Sequence, residues 1–225
     1  MVFDGSTGSS SIKFGSQFPD TYFPGSPTMK KDYLGASNFS DAIAEGKIRI
    51  NLLIASAGLT EPAAQWCADC FTVCADEFFY MPTSSTGKYH GGPTDTCNCV
   101  GGNIVHTEQV LATSARVLRR YEDALGVFYD SLSEALRVGC ILHDVCKYSA
   151  GSLWVSKTHG ESGSELIRSV KTDYTWAGLI ASAVQEHMYY WKFSAVYDSL
   201  TAFGSGSLNG LFLSFMLSEA DYYSF

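Results

Sequence analysis

Residues 131–148, SLSEALRVGCILHDVCKY, set Leu132, Leu136 and Gly139 in line with His143 at the three-to-four-residue spacing of one helix face. A helix that ends its apolar stripe on an imidazole, with a carboxylate beside it at Asp144, aims polar groups into a core. A buried charge or imidazole without a partner costs several kcal/mol, so such a stripe needs a partner elsewhere in the chain. Neighbours on a helix are separated by about 100°, and side-chain reach lets both residues of the doublet approach one centre at the inner edge of the helix.

The same pattern recurs on either side. In HTEQVLATSARVLRRYEDAL (residues 106–125), Val110, Leu111, Val117 and Leu118 share a face. In TWAGLIASAVQEHMYYW (175–191), Ile180, Ala183 and Val184 fall in line with His187. In LNGLFLSFMLSEADYYSF (208–225), Ser214 and Leu217 fall in line with Asp221. A further helix, ESGSELIRSV, follows His159. The cheapest resolution of several inward-pointing His and Asp residues is a shared cation. Imidazole with carboxylate suits Zn, Mn, Fe, Ni, Co or Mg, and the histidines weight the choice toward transition metals.

The remaining chain reads as helices and loops, with no internal repeat and no convincing pair of strands. LTEPAAQWCADCFTVCADEFFYM (59–81) predicts a helix capped by Thr60, with Pro62 in its first turn and Trp66, Cys70, Val73 and Cys74 at helical spacing. SNFSDAIAEGKIRINLLIASAG (37–58) begins as a short helical pattern behind Ser40. It continues as an apolar stretch, Ile50–Leu59, that could be helix or strand. Residues 1–40 are rich in Gly, Ser and Pro with scattered aromatics. They read as a loop-rich N-terminal arm that packs on the domain or on another subunit, leaving residues 41–225 as the folded domain. The expected fold class is therefore all-α.

Composition narrows the function classes. A hydrophobic fraction of 46% and an aromatic fraction of 14% belong to a folded globular chain. Fifteen basic against twenty-three acidic residues give a net charge of −8, so general nucleic-acid binding is not expected. A bound divalent ion would still make one pocket locally positive and receptive to small phosphorylated ligands. No apolar run reaches the roughly 20 residues that span a bilayer, and no signal segment is visible. The expected compartment is the cytoplasm (a host's, if the chain is phage-encoded), and the expected assembly state admits a homo-oligomer. The seven cysteines are then most simply reduced thiols. Cys67, Cys70 and Cys74 share a helix face, and Cys97 and Cys99 lie in one loop. A structural zinc site is weighed against small buried hydrophobes, and the second reading is preferred. Cys140 and Cys146 flank the doublet and are expected in the core. Arg119 and Arg120 read as a solvated face, and YYWKF after His187 as core and rim.

The ordered set His106, His143-Asp144, His159, His187, Asp221 resembles the HD-domain superfamily of metal-dependent phosphohydrolases, in its bacterial and phage form. GGNIVHT (101–107) is similar to the first-ligand segment, ILHDVCKY (141–148) to the doublet segment with its Lys three residues on, and LSEADYYS (217–224) to the last-ligand segment. FFYMPTSSTGKYHG (78–91) is similar to the family's lead-in. Four of the five histidines fall on this pattern, and His90 falls in the loop that the family places near its pocket.

The resemblance implies an HD-type helical bundle. His106, His143, Asp144 and Asp221 would hold a first divalent ion, and Asp144 would bridge to a second held by His159 and His187. Members with a full two-metal site often have adjacent histidines where this chain has His187-Met188, so one or two ions are expected. An ion of this kind lowers the pKa of coordinated water from about 15.7 toward ~7, so hydroxide is available to attack phosphorus at neutral pH. Asp144 and Lys147 are the expected catalytic residues, and Lys147, Lys88 and His90 the expected substrate contacts, with Glu186 or Glu161 as a proton relay. The expected reaction is hydrolysis of a phosphoester in a nucleotide or other small phosphorylated substrate. A phosphomonoesterase, a phosphodiesterase and a nucleoside triphosphohydrolase all fit. The alternatives are a 3′–5′ exonuclease of the same fold and a catalytically idle nucleotide-binding regulatory module. Specificity is expected in the loops 83–103, 149–158 and 197–209.

Overall fold

The computed structural model describes residues 34, 36, 39–83, 97, 100–126, 129–152, 155–188 and 208–224. Most of the expected arm, residues 1–33, lies outside them, as do Lys88, His90, Cys99 and the YYWKF segment. The described residues form eight helices and no extended strand: α1 (Phe39–Ser56), α2 (Glu61–Val73), α3 (Glu77–Tyr80), α4 (Gly102–Leu125), α5 (Tyr129–Leu142), α6 (His159–Ser169), α7 (Ala177–Glu186) and α8 (Leu208–Tyr222). The fold is all-α, as the periodicity predicts. No helix among the described residues is long and apolar enough to cross a membrane.

Helix α5 is the axis. It packs against α2, α4, α7 and α8, and Leu132, Ala135, Leu136 and Val138–Leu142 are all buried. A helix that is apolar on every side in its second half has to be enclosed by its neighbours. Fully burying one such leucine or isoleucine is worth about 1.5–3 kcal/mol. The core continues through Trp66 and Phe71 of α2, Phe78 and Phe79 of α3, Ile104 of α4, Ile180 and Val184 of α7, and Leu213 and Leu217 of α8.

Several local readings are corrected. The ambiguous stretch Ile50–Leu59 is helical to Ser56 and then turns at Gly58, whose φ is +64°. Thr60 has the extended backbone of a cap residue, but its side chain makes no capping bond. Its N–H donates instead to Glu134 Oε1 at 2.6 Å. Val73 obeys the spacing of the α2 stripe yet is 58% exposed, because the stripe is carried by Ala63, Trp66, Cys67, Cys70 and Phe71. Arg120 is not merely a solvated residue. It pairs with Glu219 of α8, which also accepts the Tyr121 O–H at 2.9 Å. That clasp fixes the C-terminal end of α8 against α4.

The glycine pair ahead of α4 has a steric cause. Gly101 sits at φ +78°, and a Cβ on Gly102 would lie 1.8 Å from the Cys97 carbonyl oxygen. The close approach lets Gly101 N–H donate to the Tyr80 carbonyl and Thr83 Oγ1 donate to the Gly102 carbonyl, both at 2.9 Å. The first turn of α4 is thereby stitched to residues 80–83.

Candidate metal centre

Every inward-pointing His and Asp lies at a helix end. His106 is in the second turn of α4, His159 is the first residue of α6, His187 caps the end of α7, and Asp221 is in the last turn of α8. The doublet corrects the sequence reading. Helix α5 stops at Leu142, and His143 and Asp144 occupy the turn that follows. Backbone bonds Val145 N–H to Leu142 O (3.1 Å) and Lys147 N–H to Asp144 O (2.8 Å) shape that turn. Its outgoing strand of chain is anchored by Tyr148 O–H donating to Pro82 O at 2.6 Å and by Gly151 N–H donating to Glu77 Oε1 at 2.7 Å. Both residues of the doublet can therefore face one centre without the angular offset that a continuous helix would impose.

The opposite run of α6 and α7 brings His159 to His187, with ring centroids 5.2 Å apart. Gly160 permits the approach, since a Cβ there would lie 2.8 Å from the Gln185 carbonyl oxygen.

Two mutually close groups result. His106, His143 and Asp144 form one; Asp144, His159 and His187 form the other. All five are buried, as is Asp221. In the first group His143 Nε2 lies 3.2 Å from His106 Nε2 and 3.2 Å from Asp144 Oδ2, and His106 Nε2 lies 3.5 Å from the same oxygen. Asp221 Oδ1 approaches His106 Nε2 at 3.0 Å and His143 Nε2 at 3.8 Å. In the second group Asp144 Oδ1 lies 3.3 Å from His159 Nε2 and 3.6 Å from His187 Nε2.

Hydrogen bonds behind the rings decide what these atoms are. His143 Nδ1 meets Cys140 O at 2.8 Å, His159 Nδ1 meets Ser156 O at 2.7 Å, and His187 Nδ1 meets Val184 O at 2.5 Å. A carbonyl only accepts, so each Nδ1 carries the proton and, in the neutral ring, each Nε2 presents a lone pair. Those lone pairs face a carboxylate. Asp144 Oδ1, His159 Nε2 and His187 Nε2 accordingly have no hydrogen-bond partner among the described residues, although all are buried. Buried acceptors that face one another with no donor between them are stable once a cation occupies their centre. The donor set therefore fits a divalent metal.

The ionisation states of two of the rings agree. Burial pushes His159 down to about 4 and holds His106 below the ordinary imidazole value, so both rings are neutral at pH 7. Burial also opposes charge on His143, yet the Asp144 carboxylate beside it leaves that ring above its ordinary value. Asp144 is held well below the carboxylate range despite its burial, first by the Lys147 ammonium and then by His143. Asp221 is held below it as well, against its burial, by its hydrogen bond to His106.

The other expected site residues divide. Lys147 is buried, and its ammonium rests on Asp144 Oδ2 at 2.5 Å, on the doublet itself rather than toward open space. Glu161 is exposed on α6 and Glu186 half-buried, and neither joins the two groups. No cysteine joins a metal-binding group among the described residues. Cys67, Cys70, Cys97 and Cys140 are buried, while Cys74 and Cys146 are half-buried. Sequence reasoning missed the residues that hold these side chains in place, namely Tyr148, Glu77 and the Arg120–Glu219–Tyr121 clasp. Their partners lie 66 to 99 residues away, with no local signal.

Residues 103–214 match the sequence model of the HD domain. The match begins in the first turn of α4 and ends within α8. No curated protein and no solved structure matches the chain.

Proposed function

Since the chain belongs to the HD-domain superfamily of metal-dependent phosphohydrolases, we propose that it hydrolyses a phosphoester bond in a nucleotide or another small phosphorylated substrate. The observation that carries this reading is the set of buried acceptors around Asp144 Oδ1, with no hydrogen-bond partner among the described residues and suited to a cation. In this reading His106, His143, Asp144 and Asp221 would hold one ion, and Asp144, His159 and His187 would hold a second. Bound divalent metal supplies a water activated for attack and neutralises phosphoryl oxygens as charge develops.

The chain's own residues supply position. The carbonyls of Cys140, Ser156 and Val184 lock three imidazoles in the tautomer that leaves Nε2 open. The two oxygens of Asp144 serve different groups, which keeps the two clusters in register. Lys147, one turn of chain beyond Asp144, carries a positive charge against the doublet and meets a substrate phosphate. The envelope of buried residues excludes water that would otherwise compete for these contacts.

The test is metal analysis of the purified protein, followed by turnover assays with Mn, Co, Ni or Mg. Substrates should cover phosphomonoesters, deoxynucleoside triphosphates, cyclic dinucleotides and a labelled oligonucleotide. Release of phosphate or nucleotide from a small substrate is expected, with bound metal and turnover both lost in His143→Ala and Asp144→Ala. Stepwise shortening of the oligonucleotide alone would favour the exonuclease reading. Bound metal with no turnover of any substrate would favour the regulatory module.

A further inference from the structure

Lys147 is a buried ammonium whose ion-pair partner among the described residues is Asp144. Its Nζ lies 2.5 Å from Oδ2, the oxygen that also faces His143 at 3.2 Å and His106 at 3.5 Å. The other oxygen, Oδ1, has no hydrogen bond and faces His159 and His187. The carboxylate is thus divided. One oxygen is already neutralised by a cation of the chain itself, and the other is open.

This division has a consequence for loading. A cation placed among His106, His143 and Asp144 needs the oxygen that the lysine holds. Moving the lysine away leaves a buried positive charge next to an incoming one, which is costly unless an anion arrives. The lysine cannot simply withdraw. Its N–H is bonded to Asp144 O and its carbonyl accepts from Ser156 N–H, both at 2.8 Å, so only the side chain can pivot. Within that pivot the ammonium stays beside the centre.

We propose that Lys147 is an exchangeable counter-ion that couples metal to phosphate: it neutralises Asp144 Oδ2, and passes its charge to the ligand's phosphoryl oxygens when a metal takes that oxygen. Metal and phosphate then each tighten the other's binding through one side chain, a reciprocal coupling of the ordinary kind. The inference rests on the metal centre proposed above and adds the order of charge exchange within it.

Isothermal titration with Mn2+ tests it, with and without inorganic phosphate, on wild type, Lys147→Gln, Lys147→Met and Lys147→Arg, with helicity checked by circular dichroism. Without phosphate, both neutral variants should bind Mn2+ about tenfold more tightly than wild type, within the usual range of coupling between sites. Phosphate should tighten Mn2+ binding clearly in wild type and in Lys147→Arg, and much less in the neutral variants. Mn2+ affinity unchanged by Lys147→Gln and Lys147→Met, with the phosphate effect undiminished, overturns the exchange while leaving the metal centre intact. A wild-type protein that takes up no Mn2+ in either condition overturns both.

Discussion

Two carboxylates stand ten residues apart along the same stretch of chain and meet opposite environments. Glu134, inside α5, faces donors. The Thr60 N–H reaches Oε1 at 2.6 Å and the Tyr174 O–H reaches Oε2 at 3.0 Å, with the Tyr174 ring packed against Trp66 at a centroid distance of 5.8 Å. Asp144, just past the end of α5, faces acceptors on Oδ1 and a single ammonium on Oδ2. The first carboxylate is closed by the fold, pinning the start of α2 and the α6–α7 connection to the central helix. The second is left open by the fold at the point where five helix ends converge. The difference separates a group that stabilises from a group suited to a cation, and it can be read from which atoms are donors.

The sharpest break of that contrast is Asp144→Ala. Even groups that merely orient metal-binding side chains are worth about 10–100-fold in metal affinity or activity. Removing the carboxylate common to both groups should therefore cost more than about 100-fold in metal affinity and abolish metal-dependent turnover. Metal content after gel filtration and a turnover assay check this together. Retained stoichiometric metal would mean that the two groups do not share a centre.

Glu134→Ala should act on the other side of the comparison. It removes the acceptor for one backbone and one phenolic donor, at a cost of about 1–3 kcal/mol. Urea unfolding should show a lowered midpoint while metal content of the folded protein stays at the wild-type value. Metal lost in step with stability would show that the two ends of α5 are one unit.

The contrast was only half legible in the sequence. Histidines and aspartates that close an apolar stripe are visible from helical spacing, because burial and periodicity act within one element. His143, His187 and Asp221 stand out that way, Asp144 through its neighbour, and His106 through the GGNIVHT segment. The end of α5 was not visible. HDVCKY contains no Gly, Pro or Asn to stop a helix, and the turn is imposed by distant bonds from Tyr148 to Pro82 and from Gly151 to Glu77. The Glu134 staple was equally hidden, since its partners Thr60 and Tyr174 lie 74 and 40 residues away. Thr60 was read as a cap because its local sequence allows one, but Glu134 holds its N–H by a contact that no window around Thr60 contains.

The smallest expected effect sharpens the open side of the comparison and needs no metal. His159 is pushed down to about 4 by burial, against the pull of Asp144. An unfolded histidine titrates near 6.5. Between those values the unfolded chain binds the proton and the folded chain refuses it, so stability rises with pH through the window and is lost as pH falls through it. His143 contributes with the opposite sign, because its folded value is raised and its stabilisation is lost as pH rises. The comparison must therefore be made against a variant lacking only the His159 ring. For chelator-treated protein, the loss of unfolding free energy between pH 7 and pH 5 should be smaller in His159→Gln than in wild type by roughly 1–2 kcal/mol. Urea titrations of both proteins at the two pH values measure it. Equal losses would mean that the folded His159 ring accepts a proton at pH 5. Its Nε2 would then face the Asp144 carboxylate as a donor, and the hollow of acceptors around that oxygen would be an ordinary ion pair.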